Sequence, residues 1–158
     1  MALGAVAGPA VASSAAAWSK AYCNAREAFD AAYSTATSSL RQIDLEDTVA
    51  YTGVVRQGLT DTQTASAAAI TALKKAGSPK VKKGATVQKE AVAAFEEANR
   101  VATEGLAALQ RGDVSGVVTA ASALTGARTA PTEFHGGVLQ DAVAKDKKLG
   151  KAVAKACA

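Results

Sequence analysis

The sequence predicts an all-α fold: an up-down helical bundle of four main helices plus one short helix, its termini joined by a disulfide. Three observations carry this. Past residue 13, apolar residues recur at spacings of three and four, and no stretch keeps a strand's alternation. Alanine is about a quarter of the 158 residues while aromatics are 4%, a composition that favours helix and lets helices approach closely. The only two cysteines, Cys23 and Cys157, lie near opposite ends of the chain.

Residues 1–13 are expected to stand outside the fold, and residues 14–158 to form a single helical-bundle domain. The opening MALGAVAGPAVASSAAAW is small, weakly apolar and uncharged before Lys20. Its AVAS fits a small-residue cleavage site after Ala12, so the segment reads as a signal-peptide remnant. It lacks a basic start and a longer apolar stretch, and the plainer alternative is an Ala/Gly leader without a targeting role. No window of about eighteen strongly apolar residues occurs, so no transmembrane segment is expected.

The first helix carries Trp18, Tyr22, Ala25, Phe29, Ala32, Ala36 and Leu40 on one stripe, and Arg41-Gln42-Ile43-Asp44 breaks it. Asp44 is the expected N-cap of the second helix, with Asp47 near its positive end. That helix is expected over Leu45–Ala76, on the stripe Leu45, Val49, Thr52, Val55, Leu59, Thr62, Ser66, Ile70 and Leu73. Gly53 and Gly58 weaken its first half, and Gly77 with Pro79 closes it. Ser78 then reads as an N-cap with Pro79 in the first turn of a third helix. Its stripe is Val81, Ala85, Gln88, Val92, Phe95, Ala98, Ala102, Leu106 and Leu109.

Arg111-Gly112-Asp113 matches the short integrin-binding tripeptide, but Gly112 falls where a C-cap belongs and Asp113 where the next N-cap belongs. The cap reading is preferred. The short fourth helix is expected over Val114–Thr125. TGARTAPTEFHGG reads as irregular, and the last helix starts near Phe134 or Val138 and runs to Ala156. Its stripe is Phe134, Val138, Ala142, Leu149, Val153 and Ala156.

Short connections between long helices make antiparallel neighbours. With four long helices, the start of the first and the end of the last fall together, which brings Cys23 and Cys157 within disulfide reach. The alternative is two unrelated thiols in a reducing compartment. The placement of the pair and the leader favour the bond and an extracytoplasmic, secreted location.

The pattern W-x-x-x-Y-C after a leader, then AAFEEANRVA and GLAALQRGD, then the terminal KAVAKAC, resembles the small alanine-rich secreted proteins and lipoproteins of actinobacteria. The resemblance covers most of the chain, but its motifs are compositional. It implies an extracytoplasmic helical domain and transfers no site residues, because most members have unknown function. The residues before Cys23 are Lys20-Ala21-Tyr22, which is no lipobox.

No catalytic set emerges, and the chain is expected not to be an enzyme. The lone histidine, His135, has Glu133 two residues away but no nucleophile motif; a solvated histidine is the preferred reading. Glu46-Asp47 and Glu96-Glu97 are adjacent pairs that diverge on a helix. One His and two Cys do not make a zinc site, and no cofactor is expected.

Charge is the remaining signal. The net is +4, split as −2 over residues 1–73 and +6 over residues 74–158. One lysine cluster (Lys74, Lys75, Lys80, Lys82, Lys83, Lys89) falls at a helix-helix turn. The other (Lys145, Lys147, Lys148, Lys151, Lys155) lies on the last helix. Lys74, Lys75, Lys80, Lys82 and Lys83 are the candidate polyanion-binding residues, for a wall polymer, anionic lipid or nucleic acid. No aromatic interleaving supports base stacking, so nucleic acid is not favoured. The plainer reading is a solvated turn with charges that complement helix ends.

The leading expectation is a secreted, non-enzymatic bundle acting through protein or cell-envelope contact. Polyanion binding by the Lys74–Lys89 turn is one alternative. A carrier of a small apolar ligand or haem, using Tyr22, Tyr33, Tyr51 or His135, is another.

Overall fold

The computed structural model describes residues 12–44 and 46–158. Residues 1–11 of the expected leader, and Leu45 at the expected start of the second helix, lie outside the described residues. The chain forms α1 (Ala15–Leu40), α2 (Thr48–Ala76), α3 (Gly84–Leu109), α4 (Val114–Gly126) and α5 (Thr129–Phe134). A π-helical turn (His135–Leu139), α6 (Gln140–Lys145) and α7 (Lys147–Ala156) follow. Among the described residues there is no named strand, only an isolated parallel bridge between Ser13 and Pro79.

The helices begin where a side chain or a turn satisfies their first N–H groups. Ser14 Oγ accepts from Ala17 N at 3.1 Å and starts α1. Asp47, not Asp44, caps α2, accepting from Ala50 N at 2.9 Å; Asp44 is used one turn earlier, accepting from Glu46 N at 3.0 Å. Residue 13, assigned above to the leader, is tied to the fold. Ser13 N donates to Ser78 O at 2.8 Å, and Lys80 N donates to Ser13 O at 2.9 Å. Those bonds hold Ser78 and Lys80 in an extended pairing, so α3 begins at Gly84, later than the proline suggested. Asp113 caps α4 by accepting from Gly116 N at 2.6 Å, with Gly112 at φ +70 in the glycine-favoured region. The Arg111-Gly112-Asp113 tripeptide is therefore a helix-to-helix joint.

α1, α2 and α3 lie side by side in antiparallel order, and the fourth position of the bundle is shared. α4 packs on α2 and α3, α5 packs on α3, and α7 packs on α1. The core divides accordingly. One cluster joins Trp18, Tyr22, Phe29, Leu73, Phe95, Phe134, Leu139, Leu149 and Val153. The other joins Ala36, Val55, Leu59, Ala102, Leu109, Ala120 and Leu124 at the opposite end. The first holds the large aromatics; Phe29 and Phe95 meet edge to face at 5.6 Å. The second is thin and relies on close approach. A Cβ on Gly58 would lie 2.6 Å from Ala36 Cβ, and one on Gly105 would lie 2.7 Å from Ala123 Cβ.

The C-terminal third differs most from expectation. TGARTAPTEFHGG is mostly helical, its glycine pair absorbed into the π-turn. The last helix is broken at Asp146, whose carboxylate accepts from Lys148 N and Leu149 N, both at 3.0 Å. That local capping competes with helix continuation and re-aims α7 so that Leu149 and Val153 are buried against α1.

Candidate functional site

Cys23 and Cys157 form a disulfide with Cα atoms 5.2 Å apart, spanning 134 residues. Cys23 is buried in α1 and Cys157 is exposed just past α7. The clasp lies partway along α1, in the half of the bundle at whose end, beside Ser13 and Asp146, the two lysine clusters meet.

All twelve lysines lie in the half of the bundle built on the clasp-end core, and all are exposed. Residues 12–32, 63–100 and 127–158, which make up that half, carry fifteen basic and eight acidic side chains, a net of +7. Residues 33–62 and 101–126 carry three basic and six acidic, a net of −3. Such a separation gives one end of the molecule a positive potential.

Asp146 joins the two clusters. Besides capping α7, its Oδ2 accepts from Lys82 N at 3.4 Å, so one carboxylate ties the α2–α3 turn to the α6–α7 joint. Three backbone N–H groups, that of Leu149 foremost, hold this carboxyl below the usual range. Lys83 sits left-handed at φ 61 at the head of α3. Between the two turns lies a groove of about 580 Å³ whose walls include Lys82, Lys83 and Lys145.

Of the residues expected to bind polyanions, Lys75, Lys80, Lys82 and Lys83 are exposed at this end, while Lys74 is engaged by Glu96 at 2.8 Å. An exposed pair of that kind is weak and yields to a polyvalent ligand. The convergence of the second cluster on the first was within reach of the sequence, because an up-down order returns the last helix to the α2–α3 turn. The capping role of Asp146 has one signal in the sequence, a lone aspartate in KDKKL three residues before a buried leucine.

The aromatic and histidine residues build a second polar feature inside the same half. Trp18 and Tyr22 stack at 5.4 Å, and Tyr22 stacks over His135 at 6.1 Å. Trp18 Nε1 donates to Gln88 Oε1 at 2.6 Å and Gln88 Nε2 donates to Leu73 O at 2.7 Å, which explains a glutamine on an apolar stripe. The Tyr22 hydroxyl and His135 Nδ1 are hydrogen-bonded at 3.1 Å. Burial raises the Tyr22 pKa far above the ordinary value and lowers that of His135. His135 is thus half-buried and partnered, rather than simply solvated. Tyr33 lies under the Arg128 guanidinium at 4.9 Å, and Tyr51 is half-buried at the far end.

Among the described residues no helix is long and apolar enough to cross a membrane. No protein-family model, curated protein or solved structure matches the chain.

Proposed function

We propose that this protein is a secreted, non-enzymatic helical bundle that works by contact with the cell envelope, and that its lysine-bearing end makes the contact by binding an anionic polymer. The observation that carries the reading is the gathering of every lysine into one half of the molecule, with two sequence-distant clusters locked together by Asp146. The disulfide supports an oxidising, extracytoplasmic setting, where such bonds persist.

A polymer is favoured over a membrane or a nucleic acid by where the aromatics are. Trp18, Tyr22, Phe29, Phe95 and Phe134 are all buried, so that end offers neither interfacial anchors for a bilayer nor rings for base stacking. Lysine alone makes strong but unselective, salt-dependent contacts with repeated anions.

The test is retention on purified anionic wall polymer, with heparin as a second matrix, over a salt series. Retention should fall steeply as salt rises and weaken when Lys80, Lys82 and Lys83 are changed to alanine. Retention that ignores salt, or survives the triple change intact, removes the reading.

A further inference from the structure

An unbroken α-helix through residues 134–142 would place Phe134, Val138 and Ala142 on one face. The π-turn at His135–Leu139 inserts one residue into that register. Phe134 and Leu139, five apart, become the buried pair at 4% and 0% exposure, and Val138 is displaced outward to 38%. It emerges in the groove between α3 and α6, together with Val87 and Ala142, and the lysine-bearing turns form the rest of the wall. A π-turn that costs the core a valine and gives an apolar floor to a cationic groove is the kind of register change found at binding sites.

The groove's charge is positive. Its three lysines face Asp141 and Asp146, a net of +1; Asp146 is held by three backbone N–H groups, and the Asp141–Lys145 pair, at 3.8 Å and exposed, is weak. Among the described residues neither Lys82 nor Lys83 has a carboxylate within salt-bridge distance. The volume, about 580 Å³, is that of a small-molecule site.

We infer that this groove binds a single-chain anionic amphiphile, its acid head among Lys82, Lys83 and Lys145 and its chain along Val87, Val138 and Ala142. The inference shares its lysines with the polymer-contact reading and rests on it for their availability to anions; the apolar floor is its own.

Binding of dansyl-undecanoic acid to the full oxidised chain, read by dansyl fluorescence at fixed ionic strength, tests it. Saturable one-to-one binding is expected, displaced by dodecanoate and by dodecyl phosphate, whether the head is carboxylate or phosphate. Dodecanol should compete about tenfold less well, because it lacks the charge the lysines bind. Val138→Asp should weaken binding about tenfold or more and Val138→Ala about threefold, with circular dichroism unchanged at this exposed position. Retention on wall polymer should be unaffected by Val138→Ala, which leaves the charge of the groove as it is. Lys82→Gln with Lys145→Gln should abolish the preference for acid over alcohol. No saturable binding, equal competition by dodecanol, displacement by inorganic phosphate at matched concentration, or unchanged affinity in Val138→Asp overturns the inference. Loss of polymer retention with amphiphile binding intact defeats only the contact reading, and the reverse result defeats only the groove.

Discussion

Opening the clasp by Cys157→Ser is the most informative perturbation of the fold. Cys157 is exposed, so serine there adds no buried hydroxyl, whereas the same change at Cys23 would place one in the core. The bond spans 134 residues, for which the chain-entropy treatment gives about 5 kcal/mol, with measured losses commonly about 2–5. α7 keeps Leu149 and Val153 buried, each contributing roughly 1.5–3 kcal/mol. The helix should therefore stay docked, and the loss should come mainly from a freer unfolded chain. The expected destabilisation is about 3–5 kcal/mol, and at roughly 2–4 °C per kcal/mol Tm falls by about 6–20 °C. Urea unfolding of the oxidised protein and the variant measures the free energy, and hydrogen exchange of α7 measures docking. A loss under about 1 kcal/mol with α7 still protected would refute the claim that the clasp carries a large share of stability.

Three further outcomes follow from local geometry. His135 has its pKa lowered, chiefly by burial, so the folded state binds fewer protons than the unfolded chain; stability should be full above about pH 6.5 and decline as pH falls below it. Urea midpoints at neutral and mildly acidic pH read the decline, and His135→Gln should reduce it. Gly105→Ala and Gly53→Ala should act with opposite signs. At Gly105 the new Cβ meets Ala123 and Leu59 and should cost about 1–2 kcal/mol net. At Gly53 it meets nothing within 4 Å and should gain up to about 1 kcal/mol from helix propensity; thermal unfolding of the two variants decides. Asp146→Ala removes the α7 cap and the tie to Lys82 and should lower helicity and cost about 1 kcal/mol or more, read by circular dichroism and a thermal melt; an unchanged melt would refute the capping role.

Periodicity and punctuation made the long helices legible. Trp18, Phe29, Leu73 and Phe95 are buried as their stripes required, and Asp113 caps as its position implied. The disulfide was legible from the placement of the two cysteines, but α7 reaches Cys23 by turning back on α6 at Asp146 and running beside α1 away from the α2–α3 turn, not as the end of one long last helix. Local polar competition was harder to read. Asp47 and Asp44 are both good caps, and only tertiary packing selects between them. Ser78-Pro79 has the chemistry of a helix start, but a long-range pairing with Ser13 holds it extended. The π-turn was hidden because spacings of four and five both place an apolar residue after Phe134, Val138 in one register and Leu139 in the other. Which one enters the core depends on how α5 meets α3 and α1. The groove was therefore invisible to a stripe that counted Val138 as core.

The clasp lies in the same half of the molecule as the excess positive charge. Gathering a net of +7 into one half concentrates self-repulsion there, which destabilises the compact state. The opposing terms sit in that same half: the disulfide, the stacked Trp18 and Tyr22, the Phe29–Phe95 contact and the burial of Leu149 and Val153. The other half carries a net of −3 and holds together on Val55, Leu59, Leu109 and Leu124, with alanine contacts and two close-approach glycines between them. Five of the seven aromatics, Trp18, Tyr22, Phe29, Phe95 and Phe134, lie in the half that carries the lysines. On this view the clasp and the aromatic core are what allow the lysine end to remain folded while it presents unneutralised charge.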